Sequence, residues 1–385
     1  MSALRKSPES YATRQEQPPA SLDIYFVAKK LQNQWPDIDE LTAVDIDLQG
    51  HRFRGGINNW VVQSYLQLRE PLARAGIRAR ITDDFVTNAI CIAHRDHLNC
   101  FLDFCERAYI VAVRADRPPV RIGRRQIVQN VLDGRSTGER YLPFWPQPGL
   151  IPRDPCHGSR IEHMAYFGRD ASMPQWLGDP RFMETLKRIG VTFSIRTKEW
   201  HDYSDVDLVL AHRIASPTIL REKPASKLIN AWHAGVPALL SNEPAFAALR
   251  RSDLDYLTID TPQSLLRRIE YLRSDKSVYH AMIENGRLRA REYSAEAVRA
   301  RWLELILADV VPDFLRSRTA MPPLLRFPPF VARMVAQKLT AKAYRRKTAV
   351  ELRLLQNADR PCNVQEIKYR DIEPPGSVPY GQIAV

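Results

Sequence analysis

Short apolar runs of the kind that form buried strands alternate with helix-compatible stretches twice along the chain of 385 residues. The two series are parted by "YLPFWPQPGLIPRDPCHG", Tyr141 to Gly158, whose five prolines leave little room for regular structure. In the first series "LDIYFVAK" (Leu22 to Lys29) reads as a strand. "FRGGINNWVVQSYLQLREPLARAG" then gives a glycine turn and a helix with Trp60, Val61, Tyr65, Leu68 and Leu72 at helical spacing. Strands follow at Ile77 to Thr82, Asn88 to His94, Ala108 to Ala115 and Arg125 to Val131. The second series has strands at Glu162 to Arg169, Val191 to Arg196, Asp205 to Arg213, Val236 to Ser241 and Leu254 to Asp260, with helices between and after them. Strands that are apolar throughout and alternate with helices predict parallel sheets covered on both faces.

The expected architecture is α/β, with two doubly wound Rossmann-like domains facing each other across a cleft. The expected boundaries are an N-terminus without structure over 1–20, a first domain over 21–145, a linker over 146–158 and a second domain over 159–312. A basic amphipathic tail over 313–355 and a largely unstructured end over 356–385 complete the chain. No apolar run reaches the roughly 20 residues that cross a bilayer, and the first twenty residues lack the apolar core of a secretory signal. A cytoplasmic protein is expected. The five cysteines show no metal-site or disulfide spacing.

The net charge of +12 is concentrated: between Arg316 and Arg353 ten basic residues stand against one acid, Glu351. Leu324, Leu325, Phe327, Phe330, Val331, Met334 and Val335 adjoin these cations. The combination suits either an anionic membrane surface on the inner face of the cytoplasmic membrane or a tail packed on the protein's own flank. Nucleic acid is disfavoured, since no recognition motif accompanies the charge.

Ligands of open α/β sheets bind beyond the carboxyl ends of the strands. In the second domain those ends carry Arg169, Arg196, His212 and Arg213, followed by "EKPASKLINAWHAGVP" (Glu222 to Pro237). There Ser226 is expected to cap a helix beginning near Lys227, with Lys223 and Lys227 adding charge, a natural seat for a phosphate or diphosphate. A surface helix with an ordinary cap and solvated lysines is the plain alternative.

The order "DVDLVLAHR", a short loop and "EKPASKLINAWHAGVPALLSNEPAF" resembles the donor-binding half of group 1 glycosyltransferases of the GT-B fold, in a bacterial branch. Their pattern is a strand, Glu, seven residues, Glu, and a helix ending in a Gly-x-Pro turn. The resemblance covers roughly residues 160 to 300. It puts Glu222 at the first acidic position and Asn230 at the second, where an amide replaces the usual carboxylate, and it implies that Arg169 meets the donor diphosphate. It implies sugar transfer from a nucleotide-sugar co-substrate to an acceptor hydroxyl, without a further cofactor or metal. The acceptor could be a glycan, a lipid-linked molecule or a protein, as in surface polysaccharide or glycolipid synthesis. Gly55, Gly56, Asn58 and Asn59 would approach from the first domain. His94 is the candidate base of an inverting reaction, its alternative being a hydrogen-bonded histidine at a strand end. A nucleotide-binding protein without catalysis and a basic membrane-docking scaffold are the other readings.

Overall fold

A computed structural model describes residues 22–98, 107–134, 138–168, 173–319 and 327–358. The expected unstructured N-terminus and 359–385 of the expected unstructured end, together with Arg169, Leu324, Leu325, Cys100, Cys105 and Cys362, lie outside the described residues, while 356–358 are helical.

The first sheet has six parallel strands in the order β2-β1-β3-β4-β5-β6: Leu22–Val27, Ile77–Thr82, Ile90–His94, Tyr109–Ala115, Arg125–Val128 and Glu139–Tyr141 for β1 to β6. Strand β6 had no signal in the sequence, because three half-buried residues at a sheet edge show no apolar run. The second sheet has five parallel strands in the order β11-β10-β9-β7-β8: His163–Phe167, Thr192–Arg196, Leu208–Ala211, Ala238–Leu240 and Leu257–Thr258 for β7 to β11. The strand order reverses between β1 and β3 in the first sheet and between β7 and β9 in the second, which makes two topological switch points.

Both sheets are covered on both faces. Ile24 and Phe26 point into one core with helix α1 (Gln63–Arg74), while Val27 and Ala93 point into another. Burying apolar side chains on both faces stabilises each sheet by roughly 25 cal/mol per Å² removed from water.

The cores also revise the domain boundaries. Helix α2 (Ala295–Glu304) and the stretch to Val310 lie at the end of the expected second domain, and Phe314 at the start of the expected tail, yet Val298, Trp302, Ile306, Val310 and Phe314 pack into the first sheet's core. Arg125 pairs with Asp309 at 2.7 Å, and the Tyr109 hydroxyl donates to Asp313 at 2.7 Å.

The basic tail forms one helix, α3 (Phe327–Ala358). Phe330 and Met334, expected among residues available to a membrane, are buried against Val27, Cys91, Ile110 and Val120 of the first domain. Gln337 donates to Leu98 O at 2.8 Å and accepts the Arg121 N–H at 3.0 Å. Further along, Glu351 accepts the Thr218 N–H at 3.1 Å and its hydroxyl at 2.8 Å in the second domain. The helix thus straps the two domains together. Among the described residues, no helix is long and apolar enough to cross a membrane.

The proline-rich linker is held by a buried carboxylate. Asp207, fully buried, accepts from Arg153 at 2.7 Å, from the Glu162 and His163 N–H groups at 2.8 and 2.9 Å, and lies 3.0 Å from His157 Nδ1. Burial raises its carboxyl and these partners lower it further, leaving it below the usual value.

Candidate functional site

The stretch from Glu222 to Pro237 begins at the carboxyl ends of both sheets and ends at the amino end of β10. It starts at the end of helix α4 (Pro217–Glu222) and continues into helix α5 (Ser226–Ala234), numbered here in order of introduction. Ser216 caps α4 by accepting the Ile219 N–H at 3.2 Å. Helix α5 stops at Gly235, whose φ of 67° is a left-handed conformation that glycine adopts without steric cost.

The capping role expected of Ser226 is not found. The residue before the helix is Ala225, which has no side chain able to cap, and Ser226 is already the first helical residue. The first amides of α5 therefore lack a side-chain acceptor from their own cap. Such an end carries partial positive charge and exposed N–H donors.

Beside this helix end lies Lys227. Its Nζ sits 4.1 Å from the centroid of the Tyr166 ring, and a Cβ built on Gly168 would lie 3.2 Å from that nitrogen. A glycine after β7 is thus what lets the lysine approach the strand end. Burial, the nearby Arg213 and, more weakly, Lys223 bring its pKa down to about 7, with Glu243 opposing them. Lys227 forms no ion pair or hydrogen bond among the described residues. A half-buried lysine without an ion pair beside an uncapped helix end is an arrangement that a phosphate would complete.

Other basic strand ends are already engaged. Arg213 is bidentate to the buried Glu243 at 2.7 and 2.9 Å, and Arg196 donates to Asp202 O at 2.6 Å and pairs with Asp205. Both hold loops in place. His212 lies 5.8 Å from Trp176, ring to ring. Asn230 lies beside Tyr203, whose ring stacks on Phe167 at 4.1 Å.

Glu222 and Lys223 join the domains. Glu222 is buried between Arg114 of the first domain and the Tyr344 hydroxyl of α3. Burial pushes its carboxyl up and the Arg114 guanidinium pulls it down, the net shift being upward. Lys223 pairs with Asp116 at 2.5 Å, and the side chains of Gln129 and Asn130 reach the Glu222 and Lys223 carbonyls, each at 3.4 Å. Arg114, Asp116 and Tyr344 had no signal in the sequence. Each is an ordinary residue at a strand end or in a basic helix until the fold brings it to Glu222.

On the opposite wall the glycine turn and His94 meet. A Cβ on Gly56 would lie 2.8 Å from His94 Nε2, so only glycine lets the turn rest on the imidazole. Gly55 has φ of 88°. Asn58 donates to Arg52 O and Arg54 O at 3.2 and 3.1 Å and accepts from Trp35 Nε1 at 3.3 Å, which pins the turn. Asn59 Oδ1 is buried with no hydrogen-bond partner among the described residues. His94 is buried, which brings its pKa down to about 4, and its Nδ1 accepts the Asp96 N–H at 3.2 Å. The Asp96 carboxylate lies 3.5 Å from the same nitrogen, so Asp96 offers Nδ1 both a donor and an acceptor.

No protein-family model matches the chain, and no curated protein matches it in sequence. Similar solved structures include TarM, at 11% identity and a TM-score of 0.44, covering 57% of this chain and 55% of that one. HepE of Anabaena in complex with UDP is 13% identical with a TM-score of 0.46, covering 75% of this chain and all of that one. A glycosyltransferase from Rickettsia africae is 8% identical with a TM-score of 0.43, covering 77% and 99%. The chain spans little more than half the length of the TarM and GtfA/B chains that it matches, 55% and 58%.

Proposed function

We propose that this protein is a glycosyltransferase that moves a sugar from a nucleotide-sugar donor to an acceptor hydroxyl, with the donor diphosphate at the start of α5. The observation that carries this is Lys227, a half-buried lysine with no ion pair among the described residues, next to the uncapped helix end and the close approach of Gly168. The site lies at the switch point between β7 and β9 and opens toward the first domain, where an acceptor would stand.

In the reaction the bond between the sugar carbon and the diphosphate oxygen breaks, and a bond from that carbon to the acceptor oxygen forms. Negative charge grows on the departing diphosphate. Lys227 and the amides of Ser226 and Lys227 are placed to stabilise it, so the chemistry has its electrostatic catalyst without a metal. The acceptor proton passes to an oxygen of the leaving phosphate, a route that asks nothing of His94.

The basic helix supports a second part of the reading, contact with an anionic bilayer. Val335, Leu339, Val350 and Leu354 are exposed on the side of α3 turned away from Phe330 and Met334, with Arg353 along the same side.

A thermal-shift panel of UDP, GDP, ADP and CMP tests the donor site. One nucleotide is expected to raise the melting temperature of the wild type by mass action, and Lys227→Met is expected to shrink the shift at the same nucleotide concentration. No shift from any nucleotide, in folded protein, refutes the transferase reading.

A further inference from the structure

A cavity of about 1160 Å³ lies between the two domains and under α3, beside the proposed donor site rather than in it. Its walls carry Arg95 and Arg117 from the first domain and Lys223 from the second. Its roof carries Lys338, Lys342, Arg345 and Arg346 from α3. Against these cations stand two carboxylates. Asp96 is taken by Arg117 at 3.0 Å and Asp116 by Lys223 at 2.5 Å.

The roof cations Lys342, Arg345 and Arg346 form no ion pair among the described residues. Arg345 is close enough to Arg95 to add to the burial that lowers the Arg95 pKa, so like charges crowd one space. Positive charge gathered around a concave, partly apolar space raises its potential, and a multivalent anion relieves that repulsion. The apolar part of the lining comes from Ile219, Met334 and Ala341. Arginine forks and lysine ammonium groups together suit phosphate oxygens.

The cavity also has a fixed relation to the chemistry. Lys223 lines it and stands four residues before Lys227, while Asp96 lines it and binds His94 Nδ1 through its N–H. An acceptor held here by its phosphate would border the segment that leads into α5.

We propose that this cavity is the acceptor pocket and that it binds a phosphate or diphosphate group carried by the acceptor. The acceptor role rests on the transferase reading; the anion site itself does not.

The test is calorimetric titration of the full chain with inorganic pyrophosphate in the presence of saturating UDP. The pocket variant Lys342→Ala/Arg346→Ala is compared with Lys347→Ala/Arg353→Ala, which removes the same charge from positions outside the cavity lining. All four side chains are exposed, so both variants keep the core intact. The pocket variant is expected to bind pyrophosphate at least tenfold more weakly than wild type, and the control within twofold. Equal weakening in both, or no binding to wild type, overturns the proposal. UDP binding should survive in the pocket variant. If pyrophosphate binds as expected while no nucleotide binds, the transferase reading falls and the anion site stands. Farnesyl diphosphate distinguishes the sources: binding tighter than pyrophosphate assigns the phosphate to a lipid-linked acceptor, and equal binding to a soluble one.

Discussion

Lys227 offers the sharpest perturbation, because its titration and its ligand are coupled. In the free protein its pKa is brought down to about 7. At pH 8 about nine tenths of the side chain is then neutral, and at pH 6 about one tenth. An opposite charge within ~4–6 Å raises the pKa of a lysine by about 1–3 units. A diphosphate at the start of α5 would therefore draw a proton onto Lys227 as it binds. At pH 8 the terminal phosphate is already ionised, since its second pKa is near ~6, and it contributes no competing uptake. The expected result is uptake of about 0.4–0.9 proton per nucleotide at pH 8; at pH 6 the lysine takes up only about 0.1, and the phosphate, half protonated there, releases up to about 0.5. Calorimetry in two buffers of different ionisation enthalpy reads this number directly. Affinity should weaken as pH rises above about 7, by up to tenfold per unit until the pKa of the bound form is reached. In Lys227→Met the uptake should vanish, with a loss of about 1.5–3 kcal/mol in binding for the missing charged contact. Tight nucleotide binding with no proton uptake at pH 8 would refute the placement of the diphosphate beside this lysine.

The same lysine makes a prediction without ligand. A folded pKa below the unfolded one means that the cost of burying the ammonium is present in full below pH ~7 and is relieved as pH rises toward ~10.5. Unliganded Lys227→Met should therefore unfold at higher denaturant than wild type at pH 6, by about 1–3 kcal/mol after solvent screening. Asp207→Ala leaves Arg153 buried without its carboxylate and should cost about 3–5 kcal/mol, measured by urea unfolding. Because the Asp207 pKa is depressed, its contribution is present above the unfolded value near ~4 and lost as pH falls through the folded one; the variant should flatten the acid limb of the stability profile. Trp302→Ala, fully buried in the first domain's core, should cost about 3–5 kcal/mol and loosen the first domain, as hydrogen exchange in β1 and β3 would show. Gly56→Ala sets a methyl group 2.8 Å from His94 Nε2 and should cost about 1–3 kcal/mol, with proton NMR reporting a displaced His94 ring.

Two doubly wound sheets were readable from residue types alone. Strands such as Ile90–His94 and Tyr109–Ala115 are apolar on both faces because both faces are covered, and the prolines between Tyr141 and Gly158 mark the passage from one unit to the next. The glycine turn at Gly55 and Gly56 and the helix from Ser226 to Gly235 were legible for the same reason: their signals are local. The edge strand Glu139–Tyr141 was not, since it has too few residues and too little burial to leave a pattern.

The site divides along the same line. Lys227 and Lys223 could be singled out by their place at a helix start, but which of them keeps its charge uncompensated depended on Asp116, 107 residues away in the chain. Glu222 could be recognised by its spacing from Gly235. Its burial between Arg114 and Tyr344 required three distant segments to meet. The basic tail shows the limit most plainly. Its composition allowed either a membrane or the protein's own flank, and helical spacing alone could not choose, because a helix with apolar residues on two sides can bury only one of them against the fold. The tertiary structure buries Phe330 and Met334, leaves Leu339 and Leu354 outside, and turns four cations over the interdomain cavity. Local periodicity specified the elements; long-range packing decided which charges face one another.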